Sequence, residues 1–248
     1  MSLYRCVHNF VKSNTFFNKS NLLQLKGHRY MGNTSDMKPI LYYDNRSPPV
    51  RFVLMTASCL EVKLDLHEIN LFKNENLNED YKKINPLGKV PAMKVNNETI
   101  VDSHAICLYL CGMYDNNGRL YPKDPITRAK VDEMLFFNSS TLFPIDSTIF
   151  SAYFGGKYAS VGLERSKWTS AINFLEQRLQ DHTWLSGDQM TLSDLCCAAT
   201  ISSLELLIPT EDSHPEVQAW LKRVKEQPFY EVNNEGLKRL EEVIKPTQ

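Results

Sequence analysis

Between residues 38 and 118 the apolar positions come in short runs and alternations, and beyond 118 they recur every three or four residues. Ile40-Leu41-Tyr42-Tyr43 is a four-residue apolar run bounded by Pro39 and Asp44, the pattern of a buried strand. Ser47-Pro48-Pro49 then precedes an apolar-periodic stretch to Leu60, predicting a helix with Ser47 as N-cap and proline in its first turn. Val62, Leu64 and Leu66 alternate with charged residues as a strand would, and a short polar segment ends at Asn85-Pro86. Ala92–Val95 and Thr99–Val101 flank Asn96-Asn97, which reads as a hairpin turn. Ser103 opens a helix carrying Ile106, Leu108, Leu110 and Tyr114. The predicted order is β-α-β-α-β-β-α. After Gly118 only helical signals remain. Asp124-Pro125 starts one helix, with Val131, Met134, Leu135 and Phe137 on a stripe, and Trp168, Ile172, Leu175 and Leu179 form a second stripe. Thr191-Leu192-Ser193-Asp194 is a capping box in its acidic form, and Val217, Trp220, Leu221 and Val224 make a further helix stopped by Pro228. An α/β unit over 38–118 followed by an all-helical unit over 124–248 is the expected architecture.

Charge narrows the function. The 248 residues have a formal net charge of −1, so the basic excess of a nucleic-acid binder is missing. No apolar run is long enough to predict a membrane span. The six cysteines include no C-x-x-C pair and are too sparse for a disulfide scaffold, which points to reduced thiols in a cytoplasmic protein without a metal centre. Residues 1–36 stand apart: Arg5, Lys12, Lys19, Lys26 and Arg29 face a single acid, Asp36. This segment reads as a basic, disordered N-terminal extension. A mitochondrial transit peptide and an upstream start site, with Met31 or Met37 as the later start, both fit the same traits.

Four motifs in fixed order carry a family resemblance: the strand followed by Ser47-Pro48, Asn85-Pro86-x-Gly88-Lys89-Val90-Pro91, Asp102-Ser103-x-Ala105-Ile106, and the capping box at Thr191–Asp194. Together they resemble the glutathione transferases over about residues 38–245. The runs Lys38–Arg51, Asn70-Leu71-Phe72-Lys73 and Asp102-Ser103-His104-Ala105-Ile106 are similar to an insect epsilon-class branch implicated in ecdysteroid biosynthesis. The resemblance implies a thioredoxin-like N-terminal domain, a helical-bundle C-terminal domain, glutathione as co-substrate and a homodimer. It departs from the family at Gly88 and Asn76, where histidines are common, and leaves Lys89 as a point charge for the glycyl carboxylate.

Glutathione offers two carboxylates, an ammonium, a peptide backbone and a thiol, and the motifs supply a partner for each. Ser47, at a helix start that favours anions, has a hydroxyl able to donate to a thiolate and so favour ionisation of the thiol. Pro48 follows it in the site. Ser103 opens another helix and suits the γ-glutamyl carboxylate, with Asp102 opposite the ammonium and His104 beside them. In the thioredoxin-like fold that the resemblance implies, Val90 precedes a cis Pro91 and offers its N–H and C=O to the cysteinyl backbone. Plain helix capping by Ser47 and by Asp102-Ser103, and a hydroxyl from Tyr42 or Tyr43 in place of Ser47, remain alternatives. His104, Cys107 and Cys111 are helically spaced but lack a fourth metal ligand.

For the apolar co-substrate the resemblance points to the first C-terminal helices. Phe143, Asp146 and Phe150 fall on one helical face, with Ser147 beside them and Pro144 predicting a kink. A flat apolar pocket with one acid is the expected binding place for a steroid-like ligand, Asp146 accepting from its hydroxyl; core aromatics beside a solvated Asp146 are the alternative. Two classes of function follow: an enzyme that presents ionised glutathione to an apolar steroid-like or xenobiotic electrophile, or a glutathione-dependent steroid carrier without turnover.

Overall fold

The computed structural model describes residues 38–210 and 212–244, so the extension over 1–36 lies outside the described residues. The first part is a four-stranded sheet in the order β2-β1-β3-β4, with β1 at Ile40–Tyr43, β2 at Asp65–Glu68, β3 at Ala92–Val95 and β4 at Glu98–Val101. β2 runs parallel to β1, while β3 pairs antiparallel with both β1 and β4. Asn96, with φ of 55°, makes the tight hairpin turn between β3 and β4. Helix α1 (Pro48–Cys59), the single turn α2 (Glu79–Lys82) and α3 (Ser103–Tyr114) complete the predicted βαβαββα order.

The second strand begins later than its alternation predicts. Val62 and Leu64 pack against the core from the link after α1, and β2 takes over at Asp65, whose N–H meets the carbonyl of Pro39 at 2.8 Å. β2 is an edge strand with all four residues exposed, so nothing there enforces an inward-outward alternation.

Seven residues of α1 are buried, because it packs on α3, on α7 (Leu192–Leu204) and on α9 (Glu231–Ile244). Gly236 permits the approach of α9: a Cβ there would lie 2.2 Å from the Asn45 carbonyl oxygen and 2.5 Å from the Arg51 side chain. The remaining helices are α4 (Pro125–Phe137), α5 (Phe143–Phe154), α6 (Gly162–Gln180) and α8 (Pro215–Lys225). A π-helical turn at Asn138–Leu142 joins α4 to α5, with Pro144 in the first turn of α5. The break expected near Pro144 is thus a π turn followed by proline, two known causes of helix bending.

The capping box closes the core beside α7. The buried carboxylate of Asp194 accepts from the Thr191 N–H at 2.8 Å, the Leu185 N–H at 2.9 Å and the Trp220 indole N–H at 2.9 Å. Burial raises its pKa against the pull of these donors. Replacing it orphans three buried donors, each costing roughly 1–3 kcal/mol. Asp194→Ala is therefore expected to lose about 3 kcal/mol or more in urea unfolding; a loss under about 1 kcal/mol would show that the box is not a structural anchor.

Candidate active site

A cavity of about 550 Å³ runs from the start of α1 to the walls formed by α5 and α7. Every residue expected to hold glutathione borders it: Ser47, Pro48, Lys89, Val90, Pro91, Asp102, Ser103 and His104. Tyr42 and Tyr43 do not; the Tyr42 ring packs edge-on against His67 and Tyr81.

Ser47 is the N-cap of α1, yet its side chain makes no capping bond. The free N–H groups expected at this helix start are not there. Pro48 and Pro49 have none, and the Val50 and Arg51 N–H groups both reach the Ser47 carbonyl at 3.1 Å. Ser47's own N–H is bonded to the Asp44 carbonyl at 2.9 Å. The hydroxyl is the donor that the first turn leaves for an anion.

The segment before α1 is rigidly held. Arg51, completely buried, donates to the carbonyls of Asn45 (3.1 Å), Arg46 (2.7 Å) and Ala199 (3.0 Å), to Asn233 Oδ1 (2.8 Å) and to the Ser203 hydroxyl. Asp44 and Arg46 form a buried two-bond ion pair at 2.8 and 2.6 Å, and the Arg46 guanidinium lies 4.5 Å over the Phe72 ring.

Opposite Ser47, the loop over 85–91 presents its backbone. The Val90–Pro91 bond is cis, and neither the N–H nor the C=O of Val90 has a backbone partner among the described residues. The Lys89 carbonyl accepts from the Tyr81 hydroxyl and the Asn85 amide, both at 2.7 Å. The Lys89 ammonium is exposed and makes no ion pair with a described residue.

Asp102, with φ of 75°, caps α3 by accepting from the N–H groups of His104 at 2.8 Å and Ala105 at 3.4 Å. Ser103 keeps its N–H out of this bonding, so one free donor and a hydroxyl stand at the helix start. The His104 ring, chiefly, holds the Asp102 carboxyl below its ordinary pKa. That ring reaches Cys196 at 3.4 Å, and among the described residues His104, Cys107 and Cys111 do not form a group that could hold a metal ion.

The apolar wall differs from the expected helical face. Phe143 and Ser147, one turn apart on α5, border the cavity, whereas Asp146 and Phe150 do not. The spacing from Phe143 to Asp146 follows the inward side of the helix, where Asp146 is 3% exposed; Phe150 turns to stack near Phe154 at 6.1 Å. Oδ1 of Asp146 is buried without a hydrogen-bond partner, and burial pushes its pKa up to about 8 despite the nearby Arg51 charge. Asn138, Cys196 and Thr200 also line the cavity. No local motif singles these three out, because they arrive from the π turn and from α7 through tertiary packing.

Comparison with known proteins agrees with this geometry. The glutathione S-transferase N-terminal domain family matches residues 41–118 and the C-terminal domain family matches residues 141–228. Glutathione S-transferase 1 of Manduca sexta is 34% identical over 198 residues, covering 78% of this chain and 91% of that protein. The chain belongs to the glutathione S-transferase family. Among solved structures, a glutathione transferase homolog from Drosophila mojavensis with bound glutathione is 35% identical, with a TM-score of 0.80 over 84% of this chain and 96% of that one. An epsilon-class transferase from the housefly, Musca domestica, is 33% identical, with a TM-score of 0.78 over 84% and 97% of the two chains.

Within this transferase the departures at Gly88 and Asn76 form one unit. Gly88 has φ of 60°, and a Cβ there would sit 2.9 Å from the Asn76 carbonyl oxygen. The Asn76 amide donates to the Gly88 carbonyl at 2.7 Å. Asn76 thus braces the loop, and a side chain at position 88 has no room.

Asp146 sets a pH dependence of stability. Its folded pKa of about 8 exceeds its ordinary 3.8, so between those values the folded state holds a proton that the unfolded state has released. This contribution is fully present below about pH 4 and is lost as pH rises through about 8. In urea unfolding, Asp146→Asn should gain on the wild type steadily from about pH 5 to about pH 8.5. Parallel pH profiles would mean that Asp146 is ionised in the fold.

Proposed function

We propose that this transferase ionises glutathione at Ser47 and presents it to an apolar, steroid-like ligand carrying a hydroxyl, in the manner of the Noppera-bo type of epsilon-class transferase. In this reading the Ser47 hydroxyl donates to the thiolate, and Pro48 shapes the wall beside it. Val90, before Pro91, pairs with the cysteinyl backbone. Asp102 and Ser103 take the γ-glutamyl ammonium and carboxylate, next to His104, and Lys89 supplies the charge for the glycyl carboxylate. Support comes from one cavity bordering all of these groups together with Phe143 and Ser147.

The observation that carries the steroid reading is the orphaned Oδ1 of Asp146, next in sequence to Ser147 on the cavity wall. A buried acceptor without a partner is costly, and a ligand hydroxyl inserted past Phe143 and Ser147 would satisfy it. A role in ecdysteroid biosynthesis and a homodimer extend the same proposal by resemblance, and a cytoplasmic location and a dispensable segment over 1–36 extend it from the sparse cysteines and the charge split.

With its pKa near 8, Asp146 is largely neutral at pH 7, so the hydrogen bond is worth about 0.5–1.5 kcal/mol. That is roughly 2–13-fold in affinity. Competition of a hydroxylated steroid against a fluorescent apolar dye, with glutathione present, tests the reading. Asp146→Ala should weaken the steroid by about that factor and leave an apolar aromatic electrophile unchanged. Equal losses for both ligands would reject Asp146 as a recognition group. Steroid binding without any conjugation of a chromogenic electrophile would favour the carrier.

A further inference from the structure

Cys196, His104 and Asp102 stand in line across the cavity, one from α7 and two from the start of α3. Cys196 Sγ lies 3.4 Å from His104 Nε2, and His104 Nδ1 lies 3.4 Å from Asp102 Oδ1 and 3.5 Å from the Ser103 hydroxyl. The three residue types match a thiol nucleophile, its base and an orienting acid. Their surroundings reverse that order. Cys196 is 2% exposed, and burial pushes its thiol well above the ordinary value, so the sulfur keeps its proton. Asp102, the supposed orienting acid, is instead 66% exposed at the cavity rim.

A protonated thiol beside an imidazole nitrogen donates to it. Neutral imidazole has a single N–H, so a ring accepting at Nε2 carries its proton at Nδ1. That nitrogen stands at ion-pair distance from Asp102 Oδ1, with the Ser103 hydroxyl in hydrogen-bond reach beside it. Phe52 packs edge-on against the ring, its centroid 5.7 Å away, which restricts its rotation. Oδ1 then lies against the ring and accepts from the two backbone N–H groups of His104 and Ala105, leaving Oδ2 for a cation in the cavity.

We propose that His104 is a positioning residue that aims Asp102 at the γ-glutamyl ammonium of glutathione, and that the Cys196 thiol fixes the ring tautomer this requires. The inference rests on the reading that Asp102 meets that ammonium. It makes the wall of the apolar subsite, through α7, part of the apparatus that orders glutathione.

Steady-state kinetics at about pH 8 test it, with glutathione and with glutaryl-cysteinyl-glycine, which lacks only the amino group. Wild type should prefer glutathione. His104→Ala should raise KM for glutathione about 5–10-fold, with kcat within about twofold and KM for the analogue unmoved. His104→Asn, whose amide nitrogen replaces Nδ1, should recover most of the loss; His104→Gln, which matches Nε2, should not. Cys196→Ser, retaining a donor, should keep the low KM, and Cys196→Val should raise it about 2–3-fold. Asparagine behaving no better than alanine, or equal shifts for both substrates, would overturn the role of His104. A wild type that does not distinguish the two substrates would overturn the Asp102 assignment and this inference with it.

Discussion

The Arg51 guanidinium is sealed from water, and all five of its N–H groups are committed to three carbonyls, one amide oxygen and one hydroxyl. Burial lowers its pKa to about 10, and Asp146 is the largest of the charges that offset this. A buried charge persists only when its donors are filled this completely. The partners come from the loop before Ser47, from α7 and from α9. One side chain therefore binds the strand-helix unit to the helical bundle and fixes the carbonyls of Asn45 and Arg46 just before Ser47. Gly236 makes the arrangement possible by leaving space for the arginine stem and the Asn45 carbonyl.

Two helix starts meet at the cavity and are built differently. At α1 the prolines and the Ser47 carbonyl remove the backbone donors of the first turn, so the Ser47 hydroxyl is the donor left there for an anion. At α3 the cap is an aspartate, which neutralises the first turn but leaves the Ser103 N–H and hydroxyl. The first start suits a soft, singly charged sulfur; the second suits an amino acid end carrying both signs of charge. A single peptide with a thiol in its middle and an α-amino acid at its terminus matches that pair. The chain's membership of the glutathione S-transferase family agrees with the match.

Local signals predicted the elements well because each is punctuated: Ser47-Pro48 and Asp124-Pro125 start helices, Asn96-Asn97 turns a hairpin, and Thr191–Asp194 caps α7. Legibility failed where tertiary contact decides. The edge strand β2 slipped to Asp65, since an exposed edge imposes no pattern. Arg51 looks like an ordinary surface residue of an amphipathic helix until three elements close on it. Asp146 shares a helical face with Phe143 on an ideal wheel, but the cavity follows Phe143 and Ser147, and the carboxyl turns inward. Cys196 gave no signal, because its partner is 92 residues away.

Stabilisation of the glutathione thiolate by the Ser47 hydroxyl, as proposed, is open to direct measurement. The ultraviolet thiolate absorbance of enzyme-bound glutathione, titrated with pH in the wild type and in Ser47→Ala, measures it directly. Half-ionisation in the wild type should fall at least about one unit below that of a free thiol, near 8.5, and return to that value in the variant. The same midpoint in both proteins would contradict it.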